Sequence, residues 1–167
     1  MSMARAFHLV RRFLRALTAR VDPAECRVVE DNLSSAQQQL FWAMMVQDQR
    51  HSLDVFYTLR RRGCQDRDVL LAALLHDVGK GEVRLWQRVV FVLLQAGPRG
   101  LLRRLARPNG SGWRKAIASL NEHGTRGAAL AQAAGASPAV VELIGNHQRL
   151  PGSDRRAALL RTAEESS

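Results

Sequence analysis

The chemistry that this sequence offers is concentrated at His76 and Asp77. The two residues follow an almost wholly apolar run, residues 69–75, and precede the glycine-flanked Lys80. A run that is hydrophobic all round is typical of a helix buried inside a domain. A buried carboxylate must meet a cation or hydrogen-bond donors, and a divalent metal would compensate both side chains. The sequence therefore predicts a metal site at the end of a buried helix.

Four of the five histidines lie at or near predicted helix ends, beside apolar patterns: His51, His76, His123 and His147. A single histidine in such a place is more often a hydrogen-bonded core residue than a ligand, but four in similar places favour a shared site. Only His8 lies outside the pattern. Asp77 and Glu164 add carboxylate oxygens, which gives a mixed nitrogen and oxygen set without thiolates. Such a set suits one or two ions of Mn, Fe, Co, Ni or Zn better than Mg.

The residues HDVGK at positions 76–80 resemble the signature of the HD-domain superfamily of metal-dependent phosphohydrolases. The family pattern is a first histidine, the His-Asp pair and a later aspartate. His51 lies where the family has its first ligand, and Glu164 occupies the place of the last aspartate. The resemblance covers about residues 47–165 and implies a single-domain, all-α helical bundle.

His123 and His147 resemble the two extra histidines of the HD branches with dinuclear metal sites. These branches include the HD-GYP phosphodiesterases and the HD hydrolases of dinucleoside polyphosphates. By this resemblance, one ion would be held by His51, His76, Asp77 and Glu164, and a second by Asp77, His123 and His147. The sequence QRLPGSD follows His147 in place of GYP, which disfavours a cyclic-di-GMP substrate.

The resemblance implies a phosphohydrolase that acts on a nucleotide-like phosphoester or phosphoanhydride through a metal-activated water. Asp77 and Lys80 would then be catalytic, and Lys80 and Arg126 would bind nonbridging phosphoryl oxygens. The alternative is a non-catalytic module with the HD fold that senses nucleotides or takes part in membrane-associated signalling. The glutamate at position 164 and the basic central segment motivate this alternative. A nucleic-acid binder is least favoured, because it rests on charge alone.

Composition favours one all-α domain. The chain has 167 residues, enough for one sizeable core, and 46% of them are hydrophobic but only 5% aromatic. The longest strongly apolar run without charge, residues 89–98, is shorter than the roughly 20 residues that a membrane-spanning helix needs. Cys26 and Cys64 are too isolated for a disulfide framework, which favours a reducing cytoplasm. We expect a cytoplasmic protein, with peripheral membrane contact left open.

The basic residues are unevenly distributed. The net charge is +10, and residues 84–115 carry eight basic side chains and no Asp or Glu. Such a field favours phosphate-bearing partners, whether a nucleotide, a nucleic acid or an anionic membrane. We interpret residues 82–115 as a basic helical insertion in an HD domain spanning residues 47–167. It would serve as a lid, a homo-oligomer surface, a membrane-facing hairpin or simply a solvated arginine face.

Capping residues predict where the helices that position these side chains begin. Predicted starts lie at Asp22, Ser34, Asp48, Asp66 or Asp68, and Ser137, and the last helix follows residues 152–154. Amphipathic helices in residues 1–46 are expected to pack on the core. Residues 113–121 and 125–134 are predicted as two helices, separated at Gly124 just after His123.

Overall fold

The computed structural model describes residues 19–83, 87, 90, 91, 94, 105, 112–147 and 154–167. Residues 19–83, 112–147 and 154–167 form seven helices and no strand, which confirms the predicted all-α bundle. The helices are α1 (Pro23–Asn32), α2 (Ser35–Trp42), α3 (Val46–Arg61), α4 (Arg67–Leu75), α5 (Trp113–Ala133), α6 (Pro138–Asn146) and α7 (Arg155–Ser166). None of these described helices is long and apolar enough to cross a membrane. Residues 1–18 of the predicted N-terminal amphipathic segment and most of the basic insertion lie outside the described residues.

Most helix starts lie where the capping residues predict them. Asp22 and Ser34 each form a capping box with the residue three positions later. Asp66 and Ser137 accept hydrogen bonds from the first-turn backbone of α4 and α6, and Asp154 does the same for α7. Each cap satisfies a backbone N–H group that has no partner within its own helix.

Asp48 does not cap α3 as the sequence predicts. The helix begins at Val46 with Met45 in the N-cap position, so Asp48 lies inside the first turn. Its side chain is buried, with 3% of the residue exposed, and forms an ion pair with Lys80. Asp48 thus pairs with a lysine distant in sequence from inside the first turn of the helix.

The predicted break at Gly124 is also absent, because α5 is one continuous helix. Gly124 lies inside it, where a β-carbon would be 3.3 Å from the Ile144 carbonyl oxygen of α6. Glycine weakens an isolated helix, but here it lets two helix backbones approach closely. His123 therefore projects from the middle of a helix rather than from its end.

The core surrounds α4, whose apolar residues 69–75 are all buried. Helices α3, α6 and α7 pack around it, and α5 packs along α6. Phe41, Leu53 and Leu160 are among the fully or nearly fully buried side chains, each of which contributes roughly 1.5–3 kcal/mol through apolar burial. A smaller cluster of Val83, Phe91, Ile117 and Leu120 joins part of the insertion to the first half of α5.

The turn after α4 lies directly against the backbone of α5. A β-carbon on Gly79 would lie 2.0 Å from the His123 carbonyl oxygen and 2.5 Å from the Gly127 backbone nitrogen. No residue with a side chain fits at position 79 without moving one of these backbones. The glycine thus brings the turn that carries Asp77 against the helix that carries His123.

Candidate metal centre

Five of the six predicted ligands meet at one place in the bundle. His76 occupies the C-cap position of α4, Asp77 follows it, and His147 occupies the C-cap position of α6. His123 comes from the middle of α5 and His51 from the second turn of α3. All of them except the half-buried His51 are at most 5% exposed. Residues distant in sequence therefore form one largely buried polar cluster.

The cluster consists of two groups that share Asp77. His51, His76 and Asp77 form one group, and Asp77, His123 and His147 form the other. Within each group, the potential ligand atoms lie within 4.8 Å of one another, so one ion could contact all three. Asp77 Oδ1 is 3.5 Å from Nε2 of both His76 and His123.

Backbone hydrogen bonds fix the orientation of three imidazole rings. Nδ1 of His76, His123 and His147 lies 2.9, 2.6 and 2.7 Å from the carbonyl oxygen three residues earlier. A carbonyl oxygen can only accept, so Nδ1 carries the proton in each ring. In the neutral rings the lone pair is therefore on Nε2, as a metal ligand requires.

His123 and His147 bring their Nε2 atoms to 3.1 Å from each other. Burial lowers the pKa of His123 to about 4, against the opposing attraction of Asp77. Burial, together with the electrostatic effect of nearby His76, also lowers the pKa of His147. Both rings are thus neutral near pH 7, and two nitrogen lone pairs face each other. A cation held by both rings would turn this unfavourable contact into a stabilising one.

Asp77 is the anionic centre of the cluster. Burial alone would raise its pKa, but electrostatic interactions with His76 and with the Lys80 ammonium lower it well below its usual range. Its Oδ2 accepts a 2.5 Å hydrogen bond from Lys80 Nζ. Among the described residues, Asp77 Oδ1 and His76 Nε2 are buried and find no hydrogen-bond partner. Polar atoms without a hydrogen-bond partner are costly to bury. A divalent ion bound to Asp77 Oδ1 and His76 Nε2 would compensate that cost at both atoms.

Glu164 lies near this cluster but outside both three-residue groups. It is half-buried on α7, and its negative charge raises the pKa of His147 against the larger effect of burial. Ala157, Leu160 and Ala163 of the same helix are buried, as their predicted spacing requires. The assignment of Glu164 as the last ligand remains a prediction.

Arg126 is a second basic residue beside the turn that carries Lys80. Ser119, His123 and Arg126 are spaced to share one face of α5. Arg126 Nη1 donates to Ser119 Oγ at 3.2 Å, and that hydroxyl donates to the Lys80 carbonyl oxygen at 3.0 Å. The guanidinium lies over Gly81, where a β-carbon would be 3.4 Å from Nη1. Lys80 and Arg126 thus flank the same turn.

Two residues of the site were not predicted from the sequence. Asp48 accepts from Lys80 Nζ at 3.4 Å, and Ser119 connects Arg126 to the Lys80 backbone. The spacing of Asp48 and His51 was a usable signal, because residues three apart share a helical face. Ser119 gave no comparable signal, since isolated serines are common on helix surfaces.

No protein-family model, curated protein or solved structure matches the chain.

Proposed function

We propose that the protein is a metal-dependent phosphohydrolase of the HD type, acting on a nucleotide-like phosphoester or phosphoanhydride. The observation that most supports this is the convergence of four imidazoles on one carboxylate. Apart from Glu164, the two groups that share Asp77 correspond to the division of ligands that the HDVGK resemblance implies. Three of the histidines also have the tautomer that leaves Nε2 available to a metal.

The donor set favours Mn, Fe, Co, Ni or Zn, because neutral imidazoles outnumber the carboxylate. His51, His76 and Asp77 would hold one ion, with Glu164 as the proposed additional ligand. Asp77, His123 and His147 would hold the other. Such ions, when bound, lower the pKa of water to near neutrality and neutralise charge on phosphoryl oxygens.

The protein's own cations would orient the phosphoryl group. Lys80 lies next to Asp77, and Arg126 lies over the same turn, so both can bind nonbridging oxygens. Water would attack phosphorus, the bond from phosphorus to the leaving oxygen would break, and a proton would pass to that oxygen. The net charge of +10 would favour the approach of a phosphate-bearing substrate.

The test is a screen of purified protein for hydrolysis. Metal content is measured first, and the Mn²⁺- or Fe²⁺-supplemented protein is then assayed on dinucleoside polyphosphates, nucleoside mono- and triphosphates, and cyclic dinucleotides. We expect Asp77→Asn to lower turnover more than about 100-fold, since even residues that only orient ligands cost 10–100-fold. Its helicity, measured by circular dichroism, should stay unchanged.

Asp31→Asn is the matched control, because it makes the same chemical change on the exposed face of α1. Full turnover in Asp77→Asn would reject the mechanism.

A second candidate is a non-catalytic nucleotide-sensing module, favoured by Glu164 lying outside both groups. Metal-loaded protein that binds nucleotides but hydrolyses none of the panel would support that candidate.

A further inference from the structure

Lys80 is shared between two buried carboxylates from different elements. Its Nζ lies 2.5 Å from Asp77 Oδ2 in the turn after α4 and 3.4 Å from Asp48 Oδ1 on α3. Both acidic residues are almost inaccessible, with 1% and 3% exposed. Burial is costly for a carboxylate, and the ion pair with Lys80 compensates part of that cost for Asp48.

The two oxygens of Asp77 face different groups. Oδ1 is 3.5 Å from Nε2 of His76 and of His123, whereas Oδ2 accepts from Lys80. An ion held by Asp77 through Oδ2 would have to take the place of the Lys80 ammonium on that oxygen. An ammonium and a divalent ion on the same oxygen repel each other strongly inside a protein. Lys80 would therefore compete with an ion bound to Asp77 Oδ2.

We propose that Asp48 is a positioning residue that receives Lys80 when Asp77 Oδ2 binds a metal, and so permits the second ion to bind. This inference rests on the metal centre of the proposed function. The required motion is small, because the 3.4 Å contact need only shorten to the ~2.8 Å typical of N⁺–H···O⁻ hydrogen bonds. Lys80 keeps its charge paired throughout, and it remains near the site to meet an anionic substrate.

A purely structural role for Asp48 predicts a different dependence on Lys80. A carboxylate near a helix start interacts favourably with the positive end of the helix dipole, and its negative charge attracts any metal nearby. Neither effect requires a lysine at position 80. If Asp48 acts through Lys80, replacing Asp48 weakens metal binding mainly when the lysine is present. A double-mutant cycle separates the two cases.

The experiment is a calorimetric titration of Mn²⁺ into metal-free protein, with the bound metal counted by elemental analysis. Four proteins are compared: unaltered, Asp48→Asn, Lys80→Met and the double variant. We expect two ions in the unaltered protein. Asp48→Asn should keep the first ion and lose at least about tenfold in affinity for the second, within the usual range of coupling between sites. The double variant should regain most of that loss.

Asp54→Asn is the matched control, because Asp54 lies on the same helix but pairs with Arg50 at the surface. It should bind both ions as the unaltered protein does. Lys80→Met tests the inference even if Asp48→Asn fails to fold, because removing the competing cation should leave the second ion bound as tightly or more tightly.

Three results would overturn the inference: a single ion in the unaltered protein, weaker binding of the second ion in Lys80→Met, or an equal effect of Asp48→Asn with and without Lys80. The titration uses no substrate, so its outcome is separate from that of the hydrolysis screen. A protein that hydrolyses no substrate but shows the expected coupling between Asp48 and Lys80 would reject the phosphohydrolase proposal alone. A protein that hydrolyses a substrate but lacks this coupling would reject only the role of Asp48.

Discussion

His123 and His147 face each other with their Nε2 atoms 3.1 Å apart, while Nδ1 of each ring is bound to the carbonyl three residues earlier. Neither ring can turn away without breaking its backbone hydrogen bond. The two lone pairs are thus held in a geometry that only a shared cation or a shared proton makes favourable.

Replacing one of these rings should disrupt metal binding selectively. We expect His123→Gln to reduce the Mn²⁺ bound per chain by about one ion, with an affinity loss of more than about 100-fold at that site. His8→Gln is the matched control, because His8 is the histidine outside the predicted pattern. Elemental analysis after gel filtration measures the bound metal. Equal metal content in the two variants would contradict the assignment of the second group.

The stability of the metal-free protein should fall as the pH is lowered from 7 to 4.5. His123 has a pKa of about 4 when folded and 6.5 otherwise, so the unfolded chain binds its proton first. The contribution of neutral His123 to the free energy of unfolding is therefore complete above pH 6.5 and is lost as the pH falls towards 4. The shift corresponds to at most about 3 kcal/mol. The lowered pKa of His147 acts in the same direction.

Urea unfolding of chelator-treated protein at several pH values measures this loss. His123→Gln should show a shallower pH dependence than the unaltered chain. The lowered pKa of Asp77 also makes stability fall with pH, but only as the pH falls through and below the usual carboxyl range. Working above pH 4.5 therefore reports mainly the histidines. An identical slope in His123→Gln would show that this ring is not the source.

Gly79→Ala should be strongly destabilising. The added β-carbon would lie 2.0 Å from the His123 carbonyl oxygen, so the turn or α5 must shift, at a cost of about 3 kcal/mol or more. Gly145→Ala is the matched control, because its β-carbon would meet Ala128 Cβ at an ordinary 3.5 Å. That helical substitution should be neutral or stabilising by up to about 1 kcal/mol. Chemical denaturation compares the two, and similar free energies would argue against the close approach.

Arg126 should affect substrate binding more than the chemical step. For a substrate hydrolysed in the screen, we expect Arg126→Gln to raise KM by about tenfold or more, as the loss of a charge-assisted hydrogen bond implies. The value of kcat should change little if the contact is equally strong in the bound and transition states. Ser119→Ala should act in the same direction but more weakly, because Ser119 only orients the guanidinium.

Steady-state kinetics gives both constants, and Arg67→Gln at the exposed start of α4 is the control for loss of positive charge. If the two arginine variants raise KM equally, the effect comes from net charge rather than from the position of Arg126.

Local chemistry explains which parts of the fold could be predicted from the sequence. The caps at Asp22, Ser34 and Asp66 depend on hydrogen bonds within three residues, so the sequence around each one contains the whole interaction. The buried helix that ends at His76 was equally visible, because its apolar residues are consecutive. The ligand cluster was predictable because its residue types are unusual and resemble a known signature.

The parts that could not be predicted depend on contacts between distant residues. Asp48 has the appearance of a cap, and only the fold reveals Lys80, 32 residues away, as its partner. In the sequence, Gly124 resembles a glycine that ends a helix. Nothing in the neighbouring residues indicates that α6 approaches at that point. The bond from Ser119 to the Lys80 backbone likewise joins residues 39 apart.

The clustered histidines and Asp77 come from four separate parts of the chain: α3, the end of α4, the middle of α5 and the end of α6. A metal held there would act as a reversible cross-link, closing long loops in a chain whose Cys26 and Cys64 are free thiols. Chelation would then do to this protein what reduction does to a disulfide-bonded one. Its resistance to heat would follow the supply of metal in the surrounding solution.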